Sequence, residues 1–190
     1  MSERERWQAR HLSNPTRPAP SPFVVRHVTQ LATQRRGAHA LDVASGSGRH
    51  AELLAAHGFR TVSVDHAAAA CQRVARELTG VEAVVGDARK LPFQIAAFAV
   101  IVQTLFLERE IFPRLLALLA PGGVLLAETF LVAQHEATGH PRRDFCLAPG
   151  ELVQLCTGAG VAVRVLETRE GIVQTAGGAT HLAAIAVCKV

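Results

Sequence analysis

From residue 39 onward, short runs rich in Val, Ala and Leu alternate with stretches whose apolar residues recur at helical spacing. This alternation constrains the fold more than any other feature, because a strand that returns parallel to its neighbour needs a crossover segment, usually a helix. HALDV (39–43), RTVSVD (60–65), VEAVVGD (81–87), FAVIVQTLF (98–106) and VLLAETF (124–130) are the strand candidates. RHAELLAAHG, AAAACQRVARELTG and EREIFPRLLALLA read as the helices between them. Gly80 should stop the second, Pro113 should break the third near its start, and the PGG turn should close it. The fourth strand is an apolar run rich in Val and Ile, as a strand covered on both faces is. The expectation is an α/β fold, with a mostly parallel sheet between two layers of helices.

The ends of the chain differ from this pattern. PGELVQLCTGAG reads as a short helix, followed by the strand candidates VAVRVLETREG and ATHLAAIAVCKV. Too few residues separate that last pair for a crossover, so they should form an antiparallel hairpin. Near the start, SPFVVRHVTQLATQRRG reads as an amphipathic helix with Ser21 as N-cap, Pro22 in the first turn and Gly37 beyond the end. Residues 1–22 read as a separate lid or flexible segment ahead of a domain spanning 23–190. Its SNPTRPAPSP stretch is proline-rich and should be extended. Trp7, with Arg10 and His11, is placed to fold over a pocket.

At 190 residues, 49% hydrophobic and 19% charged, the chain has the composition of one globular domain. The apolar runs are too short to cross a bilayer and no secretory leader is evident, which reads as a soluble, cytoplasmic protein. The formal charge of +4 suits an anionic small molecule as readily as nucleic acid. With no Tyr and few other aromatics, a nucleic-acid face is disfavoured, and oligomeric state is left open. Cysteines 71, 146, 156 and 188 are too scattered for a zinc knuckle or a redox pair, so buried reduced thiols are expected and no metal site is assigned.

In an open parallel sheet, ligands bind beyond the carboxyl ends of the strands. The first strand candidate runs into ASGSGRH, where two glycines two apart allow backbone to approach a ligand closely. A Walker loop is excluded, since Gly48 meets Arg49 rather than a lysine followed by Ser or Thr. Gly46, Gly48 and Ala51 match the dinucleotide pattern G-x-G-x-x-A, and Asp65 falls 19 residues after Gly46, where a ribose-binding acid belongs. Such an acid serves NAD and S-adenosylmethionine alike, so the glycine motif does not decide between them.

Three other features narrow the choice: Asp87 at the end of the third strand, the PGG turn before the fifth, and the closing hairpin. Together they resemble the class I S-adenosylmethionine-dependent methyltransferases over roughly residues 37–190. That resemblance implies a Rossmann-like three-layer sandwich with a seven-stranded sheet in the order 3-2-1-4-5-7-6, its last strand antiparallel. It implies S-adenosylmethionine as cofactor, contacted at Asp42, Ser45, Gly46 and Gly48, with Asp65 and His66 at ribose. Asp87 and Ala88 would lie at adenine, and Gln103 would follow strand four.

Trp7, PSPF at 20–23, LDVASGSGRHAELLAAHGFRTVSVD and ETFLVAQHEATGHPRRDFCLAPGEL also resemble a group of small bacterial enzymes related to the tellurite-resistance (TehB-like) methyltransferases. Ser45 stands where that group often has Cys, Ala133 where it has Gly, and Ala99 where many relatives have Asp. The resemblance implies methyl transfer to a small acceptor such as a thiol or metalloid oxyanion, by in-line displacement that needs positioning more than a base. Gln103, His140 and Arg142 are the candidate substrate-positioning residues, with His135 and Arg143 beside them in the insert after strand five. The other readings are an NAD(P)-dependent oxidoreductase and a non-catalytic Rossmann-like binding module. His27, His39, His50, His57 and His181 read as surface positions.

Overall fold

A computed structural model describes residues 3–13, 16–175 and 177–190. Seven strands form one sheet: β1 (His39–Val43), β2 (Arg60–Asp65), β3 (Val81–Val85), β4 (Phe98–Thr104), β5 (Leu119–Phe130), β6 (Val163–Thr175) and β7 (Gly178–Lys189). Their order is β3-β2-β1-β4-β5-β7-β6, with β1 to β5 pairing parallel and β7 antiparallel to both neighbours. The expected topology is therefore met, hairpin included. The hairpin is tighter than the sequence suggests: residues 176–177 alone lie between β6 and β7.

The helices are α1 (Glu3–Ser13), α2 (Pro22–Arg35), α3 (Arg49–Ala56), α4 (Ala68–Glu77), α5 (Phe112–Leu118), α6 (Val132–Thr138) and α7 (Glu151–Thr157). Phe23, Val24 and Val28 of α2 and Leu54 of α3 pack on Val100, Val102, Val124 and Leu126 of one sheet face. Leu115 and Leu116 of α5 and Leu152 and Cys156 of α7 pack on Ile101, Leu125 and Ile185 of the other. Alternate residues of β4 and β5 thus feed two separate cores. That explains the apolar run 98–102 within β4: both of its faces are covered.

Several local expectations need correction. Ser21 precedes α2, yet its side chain makes no cap; its hydroxyl is buried without a partner, and its carbonyl accepts from Val25 N at 2.9 Å. β5 begins at Leu119, ahead of the PGG turn, because Phe98 pairs with Leu119 before an irregularity shifts the register. α4 ends at Glu77, short of Gly80. Two helices escape sequence reading: α1, and α6 in what reads as a loop. The former packs on α4, with Gln8 Oε1 accepting from Ala69 N at 3.1 Å. Cys71, Cys146 and Cys156 are buried and free, and Cys188 is free and half-buried.

Gly48 shows why the turn into α3 needs a glycine. Its φ is +78°, and a Cβ there would stand 2.7 Å from Val74 Cγ2 and 3.0 Å from Leu78 Cδ1. Both the left-handed backbone and the close seat of α4 exclude a side chain. Gly48→Ala should therefore lower stability by about 2–4 kcal/mol, from backbone strain plus overpacking. Denaturant titration of the two proteins checks this, and a loss below about 1 kcal/mol would contradict it.

Candidate functional site

The loop from Ala44 to Gly48 joins β1 to α3 at the carboxyl end of the sheet, and three side chains from β1 and β2 hold it. Asp65 ends β2, and its two oxygens divide between backbone donors: Oδ2 accepts from Gly46 N and Oδ1 from Ala67 N, each at 2.8 Å. Ser63 Oγ donates to Ser45 Oγ at 2.6 Å. Asp42 Oδ2 accepts from Ala51 N at 2.9 Å and so fixes the first turn of α3. Ala44 and Leu105, in the loops after β1 and β4, hold φ values of +52° and +53°. Non-glycine residues in this region carry strain, and such strain gathers at functional sites.

A cleft of about 350 Å³ opens beside this loop, within the range of small-molecule sites. Its wall combines Ala44, Val64, Asp65 and His66 with Val85 to Arg89 from the end of β3. Phe106 to Glu108, after β4, supply the next side, and Trp7 of α1 and Phe145 close over it. Asp65, His66, Asp87 and Ala88 thus line the cleft as the sequence suggests. Asp42, Ser45, Gly46, Gly48 and Gln103 are not among its lining residues; Asp42 is 1% exposed and braces the loop from behind.

Asp87 is partly committed. Its carboxylate pairs with the Arg89 guanidinium at 2.8 Å and caps the turn Ala88–Lys90, which holds its pKa below the usual range. His66 Nδ1 lies 3.8 Å from Asp65 Oδ1. Gln103 is wholly buried: its amide donates to the Phe106 carbonyl, while Oε1 has no partner. Phe106, which accepts from the amide, is among the residues that line the cleft.

The insert after β5 is less central. His140 is exposed and lies outside the cleft lining, as do Arg142 and Arg143. Arg142 stacks over the Phe145 ring at 4.8 Å, so it stands one side chain from the cleft. His135 is half-buried, with Nδ1 2.8 Å from the Pro141 carbonyl. Phe145 itself escaped notice; a lone large aromatic within a polar insert was the available signal.

The N-terminal segment also reaches the site. Arg17 donates to the Ser47 carbonyl at 2.8 Å, and pairs with Glu77 at 2.9 Å and Glu52 at 3.3 Å. The Arg10 and His11 side chains lie outside the described residues.

His50 corrects another expectation: it is 2% exposed, not a surface residue. Its Nε2 accepts from Ser21 N at 3.1 Å, and Nδ1 lies 3.2 Å from Thr104 Oγ1. His27 is buried as well, with Nε2 3.2 Å from Glu167 Oε2. Burial, reinforced by the Arg49 charge, pushes the His50 pKa down to about 3. Burial pushes Asp42 up to about 7 against the Ala51 N–H and Arg49, which favour the ionised form.

These two shifts act in opposite directions on stability. Folded Asp42 keeps a proton that the unfolded chain releases above about pH 4, so raising the pH from there to 7 withdraws stability. Folded His50 refuses a proton that the unfolded chain takes up below about pH 6.5, so lowering the pH towards 3 withdraws stability. Between about pH 4 and 6.5 the slopes offset each other. Relative to wild type, Asp42→Asn should make stability rise more steeply with pH in that window, and His50→Gln should make it fall. Denaturant titrations across the window test both signs, and three parallel curves would refute the assignment.

Residues 40–123 match the family model described as "Methyltransferase domain". A curated relative, protein-L-isoaspartate O-methyltransferase of Rhodopseudomonas palustris, is 32% identical over 111 residues, covering 56% of this chain. The chain spans about half the length of that relative, 51%. An S-adenosylmethionine-dependent methyltransferase from Mesorhizobium loti superposes with a TM-score of 0.69 at 14% identity, over 86% of this chain and 96% of its own. One from Aquifex aeolicus gives 0.69 at 16% identity, over the full length of both. Residues 40–123 are thus similar to a methyltransferase domain, and the two solved methyltransferases share the fold of this chain.

Proposed function

We propose that this chain, a class I methyltransferase fold whose residues 40–123 match a methyltransferase domain, moves a methyl group from S-adenosylmethionine to a small-molecule acceptor. The observation that carries this reading is the cleft at the ends of β1 to β4, with a carboxylate on its wall at the end of β2. Each oxygen of Asp65 accepts one backbone hydrogen bond, which leaves lone pairs free for the ribose hydroxyls. Asp87 and Ala88 would border the adenine, with Trp7 and Phe145 covering it.

The residues therefore fit the cofactor, which when bound supplies an electrophilic methyl on a sulfonium. The chain's part is to orient the two reactants and exclude water. Residues 1–22 act as the lid: Trp7 on the cleft and Arg17 on the glycine loop are its points of attachment. The ETFLVAQHEATGHP segment supports kinship with the TehB-like group, and so a metabolite, thiol or metalloid oxyanion rather than a macromolecule as acceptor. His140 and Arg142 would meet that acceptor from the insert. No described helix is long and apolar enough to cross a membrane.

Trp7 is the chain's single tryptophan and lines the cleft, so it reports occupancy directly. Titration with S-adenosylmethionine or S-adenosylhomocysteine should change its fluorescence saturably, and NADH should raise the melting temperature of the protein far less than either. Asp65→Ala should weaken cofactor binding about 10–100-fold, the loss typical of charged hydrogen bonds. Wild-type affinity in that variant, or no fluorescence change at all, would defeat the reading.

A further inference from the structure

One wall of the cleft is not set by the strands. Phe145 belongs to the insert after β5, in a short turn (Arg143–Phe145) between α6 and α7. The insert meets the end of the sheet at Leu147, whose N–H donates to the Phe130 carbonyl and whose carbonyl accepts from Val132 N, each at 2.8 Å. Within the turn the backbone bonds are local: Phe145 N donates to the Arg142 carbonyl and Cys146 N to the Arg143 carbonyl, both at 2.9 Å. Such bonds shape the turn without placing it over the cleft.

Arg109 supplies the placing contact. It directly follows Phe106 to Glu108, which line another side of the cleft, and its guanidinium reaches partners 35 to 42 residues further along the chain. Nη1 donates to the Asp144 carbonyl at 3.1 Å and Nη2 to the Cys146 carbonyl at 2.9 Å, the two carbonyls that flank Phe145. Nε and Nη2 also donate to the two carboxylate oxygens of Glu151, the first residue of α7. Glu151 is itself oriented by Ala148 N, which donates to Oε2 at 2.8 Å.

The ion pair alone does not account for this arrangement. The Arg109 and Glu151 side chains are 41% and 21% exposed, so water screens them, and pairs of that kind contribute little to stability. The guanidinium adds geometry. A planar fork with donors on three nitrogens joins one carboxylate and two carbonyls at once, which the single nitrogen of a lysine does not.

We propose that Arg109 is a positioning residue for the cleft: its bonds to the carbonyls of Asp144 and Cys146, braced by Glu151, hold Phe145 over the bound cofactor. This rests on the methyl-transfer reading above and adds to it a residue that lines no part of the cleft. Arg109 touches neither reactant and acts through Phe145. It also ties the wall after β4 to the wall from the insert, so the gap between them is fixed by one side chain.

The test has two readouts on the full-length protein. Affinity for S-adenosylhomocysteine is measured by Trp7 fluorescence in wild type, Arg109→Lys, Phe145→Ala and the double variant. Each single change should weaken binding about tenfold, and the double variant should bind no more weakly than Phe145→Ala, because both changes remove the same contact. Arg109→Lys keeps a cation for Glu151, so its denaturant midpoint should stay close to that of wild type. The second readout needs no ligand. Cys146 is 3% exposed beside Phe145, and its thiol should react with a maleimide about fivefold faster or more in Arg109→Lys, while Cys71 in α4 keeps its rate; peptide mass spectrometry separates the two. Wild-type affinity in Arg109→Lys, additive losses in the double variant, or an unchanged Cys146 rate overturns the proposal. If wild type does not bind S-adenosylhomocysteine, the methyl-transfer reading fails, and the Cys146 rate still decides whether Arg109 holds the turn.

Discussion

The carboxylate of Asp65 is the interaction on which the site depends. It ends β2, but its two oxygens reach the backbone on either side, to Gly46 in the loop after β1 and to Ala67 ahead of α4. Two adjacent strand-to-helix turns are therefore fixed by one buried side chain. Hydrogen bonds to an ionised carboxylate are roughly twice as strong as neutral ones, and burial shields these from water. A residue that serves only a ligand could be lost without harm to the fold. Asp65 cannot, because the shape of the glycine loop is written partly by its oxygens.

Around that anchor the loop is held from several sides. Asp42 secures the turn beneath it, Ser63 grips Ser45, and Arg17 takes the Ser47 carbonyl from outside. Each partner comes from a different element. The loop carries left-handed backbone at Ala44, Gly46 and Gly48, which little else would stabilise. Rigidity here follows from convergence of contacts, and a preorganised loop is what a positioned methyl donor requires.

Much of this was legible in the sequence for identifiable reasons. β1 and β2 lie where the apolar runs place them, because a strand covered on both faces leaves a plain compositional mark. The acids at the ends of β2 and β3 fall on the cleft because parallel topology brings all the strand ends to one edge. The purpose of Gly48 was only half legible: its turn follows from the motif, but its close seat against Val74 depends on where α4 docks. His50 was illegible, since a polar residue early in a helix ordinarily faces water. Its burial depends on Ser21 and Thr104, 29 and 54 residues away along the chain. Phe145 and α1 were hidden likewise, because tertiary docking gives them their roles.

The grip of Arg17 ties one side of the cleft to a distant part of the chain. Its partner Glu77 lies 60 residues further along the chain, so the segment before α2 is held by α4 rather than by its own neighbours. Trp7, ahead of Arg17 in the same segment, thus adds its wall to the cleft only where that docking holds, while the sheet rests on its own strand pairing.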